Sequence, residues 1–197
     1  MNFRIQTLLK QPSSQAVIEI WGTLKPPPLL TISEWADRER ILSPESSAEP
    51  GKWYNERAPY QVGIMDAFND PVIHTVVGMF ASQTGKTEAG IDNPVGYYID
   101  QDPCPILVTQ PTLEIAKAWS KDRLAPMLRD TPCLEKQVGY KTRISESTIL
   151  HRVFHGGHIT VAGANSAASL VGRPIRILLM DEIDRYPFSA GAEGDPC

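Results

Sequence analysis

Ala81-Ser82-Gln83-Thr84-Gly85-Lys86-Thr87 holds the residue types best suited to chemistry in this chain. A glycine, a lysine and a hydroxyl residue between a strand and a helix suit a phosphate chain. Backbone N–H groups of Ser82, Gln83, Thr84 and Gly85 and of the helix N-terminus would point at the phosphates. Lys86 would place a point charge on them, and the Thr87 hydroxyl can ligate Mg²⁺. The match to the Walker A pattern G-x-x-x-x-G-K-[ST] is incomplete, because Phe80 stands where the first glycine would be. On its own, the triplet fits a helix start with an exposed lysine equally well.

A second segment shifts that balance. Ile177-Leu178-Leu179-Met180-Asp181-Glu182 is an apolar run that ends in two carboxylates. A buried parallel strand delivers its polar residues to its C-terminal edge, where ligands bind in such sheets. In a Walker B role Asp181 would hold Mg²⁺ and Glu182 would act as general base on the attacking water. The alternative is a strand that merely ends in a charged turn. It loses weight because Gly85-Lys86-Thr87 sits far upstream in its own strand–loop–helix setting. Pro59-Tyr60-Gln61 is a third candidate: an aromatic face can stack on adenine while the amide of Gln61 both donates and accepts. Alone, Tyr60 reads equally well as a core residue. Asp184 extends Asp181-Glu182 to Asp-Glu-Ile-Asp, the pattern of helicase-like ATPases.

Other groups carry less. His151, His155 and His158 match no common zinc spacing and read as exposed loop histidines near Gly156-Gly157. The three cysteines, Cys104, Cys133 and Cys197, are too few and scattered for a disulfide framework. No nucleophile elbow of the Gly-x-Ser-x-Gly kind is present.

The elements that must position these residues follow from periodicity. Apolar, β-branched runs predict buried strands over 72–79, 106–109, 158–162 and 175–180. The best helix is 113–128. Leu113, Ala116, Ser120, Leu124 and Met127 share one stripe, Thr112 can cap it, and Pro126 should kink or end it. A helix from about Lys86 is expected to be short or kinked, since Gly90, Pro94 and Gly96 oppose it. Strands alternating with helices imply an α/β fold with a mainly parallel sheet. Earlier in the chain, Pro26-Pro27-Pro28 reads as an extended linker. Thr31 or Ser33 caps a helix running to about Leu42, and 43–51 is a loop. The chain therefore divides into a non-core, extended and helical arm over 1–55 and an ATPase-type domain over 56–197.

Composition bounds the reading. With 197 residues and 42% hydrophobic content, the chain can bury one α/β core. No run approaches the roughly 18 apolar residues of a membrane span, and the first residues lack a signal-peptide apolar stretch. A cytoplasmic setting is expected. The 17 prolines exceed the usual ~5%. The net charge of −4 argues against a protein that simply coats a polyanion. Between Lys117 and Arg143, however, seven basic residues face three acidic ones. Solvated helix faces explain that better than a nucleic-acid track does.

The ordered series Trp35-Ala36, Glu49-Pro50-Gly51-Lys52-Trp53, Pro59-Tyr60-Gln61, Ser82 to Glu88, Gln110-Pro111-Thr112, Gly163-Ala164-Asn165-Ser166 and Leu178 to Pro187 resembles the large subunit of tailed-phage terminases of the lambda type. The resemblance covers about residues 30 to 195. It implies a P-loop NTPase of the additional-strand, RecA-like type, and a motor that uses ATP and Mg²⁺ to translocate duplex DNA into a procapsid. The implied partners are duplex DNA, a small terminase subunit and the portal of the procapsid, with a homo-oligomeric ring of subunits in the host cytoplasm. It assigns adenine binding to Tyr60 and Gln61, phosphate and metal binding to Lys86 and Thr87, the metal acid to Asp181 and the base to Glu182. Many relatives carry an arginine within the phosphate loop, where this chain has Ser82-Gln83. Arg173 or a neighbouring subunit would then have to supply it. The family's coupling motif and nuclease domain would follow residue 190, so the chain is expected to be a truncated N-terminal portion, incomplete at its C-terminus. Two rival readings remain: a superfamily-2 helicase-like ATPase, and a catalytically silent remnant that binds without turnover.

Overall fold

The computed structural model describes residues 29–139, 148–166, 172 and 174–189. The proline linker, most of the expected arm and Arg173 lie outside the described residues.

Helix α1 (Ile32–Glu39) begins at a capping box. Glu34 N–H donates to Thr31 Oγ1 at 3.3 Å, and Thr31 N–H donates to Glu34 Oε2 at 2.9 Å. This satisfies two of the donors that a helix start leaves orphaned. The helix ends at Glu39, short of the expected Leu42. Arg40 turns extended and starts a small antiparallel ladder of β1 (Ile41–Leu42) and β2 (Gly51–Lys52). The expectation of a non-core arm up to residue 55 fails for this part. Ile32, Trp35, Ala36, Leu42 and Trp53 belong to the same buried cluster as the main sheet. Trp35 helps anchor α1: its ring lies against Gly96, where any Cβ would collide with it, and its indole N–H donates to Asp100 Oδ2 at 3.0 Å. Gly96, which opposes a helix by propensity, is required by that contact.

The main sheet has the order β4-β5-β3-β6, with β3 at Ile106–Gln110, β4 at His151–Phe154, β5 at Gly157–Gly163 and β6 at Ile177–Met180. β3 pairs parallel with both β5 and β6, while β4 and β5 form an antiparallel hairpin. The fold is therefore mixed α/β with a mostly parallel sheet. Three of the four expected strands form. β3 is buried on both faces along its length, as a continuous Ile-Leu-Val run demands. The histidines read as loop residues are placed differently. His151 and His158 lie on the paired strands β4 and β5, with ring centroids 5.2 Å apart, and only His155 sits in the turn.

The expected strand over 72–79 does not form. Val72, Val77 and Met79 stand almost wholly in water. Sequence supplied the β-branched apolar residues, but a strand also needs a neighbour for its N–H and C=O groups. Among the described residues none pairs with it. Among the described residues β6 is bonded on one side only, to β3.

Both helices that contain an inconvenient proline keep going by taking a wide turn. After the short helix α2 (Val62–Ala67) and the helical residues Lys86-Thr87, a π-helical turn spans Glu88–Asp92 and leads into α3 (Asn93–Asp100). After α4 (Leu113–Trp119) a second π turn spans Ser120–Leu124 and leads into α5 (Ala125–Asp130). In each case the residue just before the proline donates five residues back: Asn93 to the Glu88 carbonyl, Ala125 to the Ser120 carbonyl. A proline has no N–H to give and its ring would strike the carbonyl four residues earlier. The extra residue of a π turn removes both conflicts. Pro94 and Pro126 therefore widen their helices where a kink or an end was expected. Thr112 caps α4 as expected, donating no proton but accepting one from Ile115 N–H. A short helix α6 (Pro132–Gly139) completes the layer.

Candidate active site

The C-terminal edge of the sheet brings the two main sequence signals together. Register pairs Thr109 with Met180, so Gln110 and Asp181 leave adjacent strands side by side. Gln110 Nε2 donates to Asp181 Oδ2 at 3.3 Å, and Asp181 N–H donates to the Thr109 carbonyl at 3.0 Å. Asp181 is buried. Its other oxygen meets Lys86 Nζ at 2.9 Å, and the same ammonium lies 3.7 Å from Glu182 Oε1. A buried carboxylate in this setting requires a cation, and Lys86 provides it.

Glu182 turns the chain with a left-handed backbone, φ +52°. That conformation is strained for a residue with a Cβ. Arg185 Nη1 holds Glu182 Oε2 at 3.0 Å, and the following Tyr186 hydroxyl donates to the Thr109 carbonyl at 3.0 Å. These contacts tie the turn after β6 back onto β3, where they offset the strain.

Loop 82–85 has its own supports. Thr84 Oγ1 donates to the Ala81 carbonyl at 2.8 Å. Gln83 is left-handed at φ +58° and Gly85 at φ +77°. Gly85 is also where the Gln61 amide packs, leaving no room for a Cβ. Gln61 Nε2 and the Tyr60 hydroxyl both donate to the Thr84 carbonyl, at 3.0 and 2.9 Å. Gln61 is buried, and its Oε1 has no partner among the described residues. Ser82 and Gln83 are exposed. The sequence candidates Tyr60, Gln61, Ser82, Gln83, Thr84, Gly85, Lys86, Thr87, Asp181 and Glu182 thus lie on one contiguous loop assembly.

Thr87, Gln110, Trp119, Arg123, Asp181 and Glu182 line an open cleft of about 260 Å³. That is below the usual range for a whole ligand pocket, and suits a phosphate tail whose remainder lies along the surface. No group of three or more His, Cys, Asp or Glu side chains suited to a metal occurs among the described residues.

Comparison with known proteins decides the family. Residues 47–197 match the model described as phage terminase large subunit gpA, ATPase domain. The chain belongs to that family. Two relatives of the terminase large subunit align along most of it. The protein named terminase, large subunit, of Enterobacteria phage P21 is 29% identical over 175 residues, covering 87% of this chain and 26% of that protein. Its counterpart in Escherichia phage lambda is 26% identical over 169 residues, covering 84% of this chain and 26% of that protein. The chain therefore spans about a quarter of these terminase subunits. No solved structure matches it.

Sequence reasoning missed several residues of this terminase-type site. Gln110 was quoted only as part of a motif. Its position at the end of a strand next to the Asp181 strand was the signal that could have found it. Glu88 and Arg123 had no such signal, since their partners are distant in sequence, whereas Arg185 lies three residues from Glu182 and the spacing alone offered that pair.

Proposed function

We propose that the chain is the ATP-hydrolysing part of a phage DNA-packaging motor, with a P-loop fold of the additional-strand, RecA-like type. The observation that carries this reading is the meeting of Lys86 with Asp181 and Glu182, 2.9 and 3.7 Å away, at the edge of a mostly parallel sheet. Lys86 would leave the carboxylates for the β/γ-phosphates of ATP. The exchange would leave no buried charge uncompensated, because the Mg²⁺ that accompanies ATP would take the place of the ammonium beside Asp181. Backbone N–H groups of 82–87 would cradle the phosphates. Tyr60 and Gln61 would meet the adenine, Gln61 through the buried Oε1 that has no partner among the described residues.

The Thr87 hydroxyl and the Asp181 carboxylate face one cleft, a donor set that suits Mg²⁺, which takes one or two protein oxygens and completes its shell with waters and phosphates. When bound, the ion would neutralise charge on the transferring phosphoryl group. Glu182, held by Arg185, would accept the proton of the attacking water. Gln110 would keep Asp181 oriented. Hydrolysis would drive duplex DNA toward a procapsid, with a small terminase subunit, a portal and further copies of the chain as partners. Among the described residues no helix is long and apolar enough to cross a membrane.

Nucleotide binding and steady-state hydrolysis, with and without duplex DNA, test the reading. Lys86→Ala is expected to weaken ATP binding at least about tenfold, the loss of one charge-assisted contact. Glu182→Gln is expected to keep binding and lower turnover by roughly 10²–10⁴-fold. Binding that needs Lys86 without any turnover would leave a nucleotide-binding chain that is catalytically silent. Folded protein with no Lys86-dependent binding would sink the site.

A further inference from the structure

The cleft has a cation that the roles above leave unused. Arg123 sits on the π turn Ser120–Leu124 and lines the same cleft as Thr87, Asp181 and Glu182. Its side chain is 37% exposed. Nη1 bonds Glu88 Oε1 at 3.1 Å and Asp92 Oδ2 at 3.4 Å. Both acids belong to the other π turn, and Glu88 directly follows Thr87. The acids are themselves fixed. Glu88 Oε2 accepts from buried Arg40 Nη2 at 3.1 Å, and Asp92 Oδ1 accepts from the Trp119 indole N–H at 3.0 Å.

We infer that Arg123 contacts the terminal phosphate of a nucleoside triphosphate in this cleft; the inference rests on the ATP-site reading above. Loop 82–85 contains no arginine, and Lys86 would otherwise be its only cation for the phosphates. A triphosphate carries more negative charge than one ammonium and one Mg²⁺ together offset. The two bonds to the acids use Nη1 alone, which leaves the Nη2 and Nε donors of the planar fork outside them. That fork matches phosphate oxygens in a way an ammonium does not. With Asp92 ionised, Arg40 and Arg123 balance Glu88 and Asp92 in charge, and the cluster holds the guanidinium at the cleft wall. The π turns explain its placement: one carries both acids, the other carries Arg123, and they meet next to Thr87.

The test is the affinity of the chain for AMP-PNP and for ADP, each with Mg²⁺, measured by calorimetry. Arg123→Lys keeps a charge and loses the fork. The double variant Arg123→Gln/Asp92→Asn removes one charge of each sign, so no carboxylate is left stranded. Both should lose roughly tenfold or more in AMP-PNP affinity and change little toward ADP. Circular dichroism and a cooperative melt establish that the variants fold. Equal losses for both nucleotides, or no loss, in a folded variant would overturn the role of Arg123 while Lys86-dependent binding kept the site. Absence of Lys86-dependent binding in folded wild type would overturn the site and the inference together.

Discussion

Two non-glycine residues in the candidate site hold left-handed backbone, Gln83 and Glu182. Each costs of order 1–2 kcal/mol relative to glycine. At Glu182 the side chain is needed, and contacts from Arg185 and Tyr186 offset the cost. Gln83 is exposed and makes no comparable contact among the described residues, so its strain is less well compensated. Gln83→Gly should raise Tm by a few degrees in a thermal melt, the shift expected of about 1 kcal/mol in a chain this size. An unchanged or lower Tm would mean that the Gln83 side chain itself supports the loop. Burial acts on the thiols as well. It pushes Cys104 up to about 11 and Cys133 up to about 12, so neither is a thiolate near neutral pH.

The cluster that joins the two π turns is a property of elements, and it predicts a pH dependence. Burial raises the Asp92 carboxyl from 3.8 to about 7; Glu88 adds to the rise, while Arg40, Arg123 and the Trp119 N–H oppose it. Between about pH 4 and 7 the folded chain therefore keeps a proton that the unfolded chain has released. The stability tied to that proton is fully present below about pH 4 and is lost as pH rises through about 7. Asp92→Asn retains an acceptor for Trp119 and no longer titrates. Its Tm should stay flat between pH 5 and 8, where the wild type loses several degrees after the shared background is subtracted. Parallel profiles would remove Asp92 as the titrating group. Sequence could not show this cluster, because Arg40, Glu88, Asp92 and Arg123 are brought together only by tertiary packing. What sequence did show at this scale were local regularities: the Thr31 and Thr112 caps, the stripe through Ala116, Ser120, Leu124 and Met127, and the apolar runs that became β3, β5 and β6. Those depend on neighbours along the chain. The 72–79 prediction failed because a strand depends on neighbours across it.

At the scale of the whole molecule, the sheet closes well on one side and poorly on the other. β3 is buried between β5 and β6, but β6 ends the sheet with Leu178 about half exposed. Val77 and Met79 precede the phosphate-type loop in full contact with water, and Phe188 follows the site equally bare. Apolar surface and an unpaired strand edge together favour self-association. Val77→Lys/Met79→Lys should therefore lower light scattering at a given concentration and temperature. Tm should move by less than about 0.5 kcal/mol equivalent, as for other surface changes. A fall in Tm with no change in scattering would show that these side chains are structural instead.

The two wide turns set a rule for lengths. A π turn holds one residue more than the α-helical turn it replaces, so the apolar pattern read along the sequence slips by one place across it. In the helix that starts at Lys86, the end that serves the cleft and the end that packs under Trp35 are thus in different reading frames of the same cylinder. Removing one residue between Glu88 and Asp92 would let the turn close as ordinary α-helix with both ends facing as they do now, and would bring the Pro94 ring back against the carbonyl four residues earlier. Inserting a further residue there would rotate the two ends against each other by about 100°, so that either Lys86 and Thr87 would turn from the cleft or Gly96 would turn from Trp35. Indels, more than substitutions, are the changes this region cannot absorb.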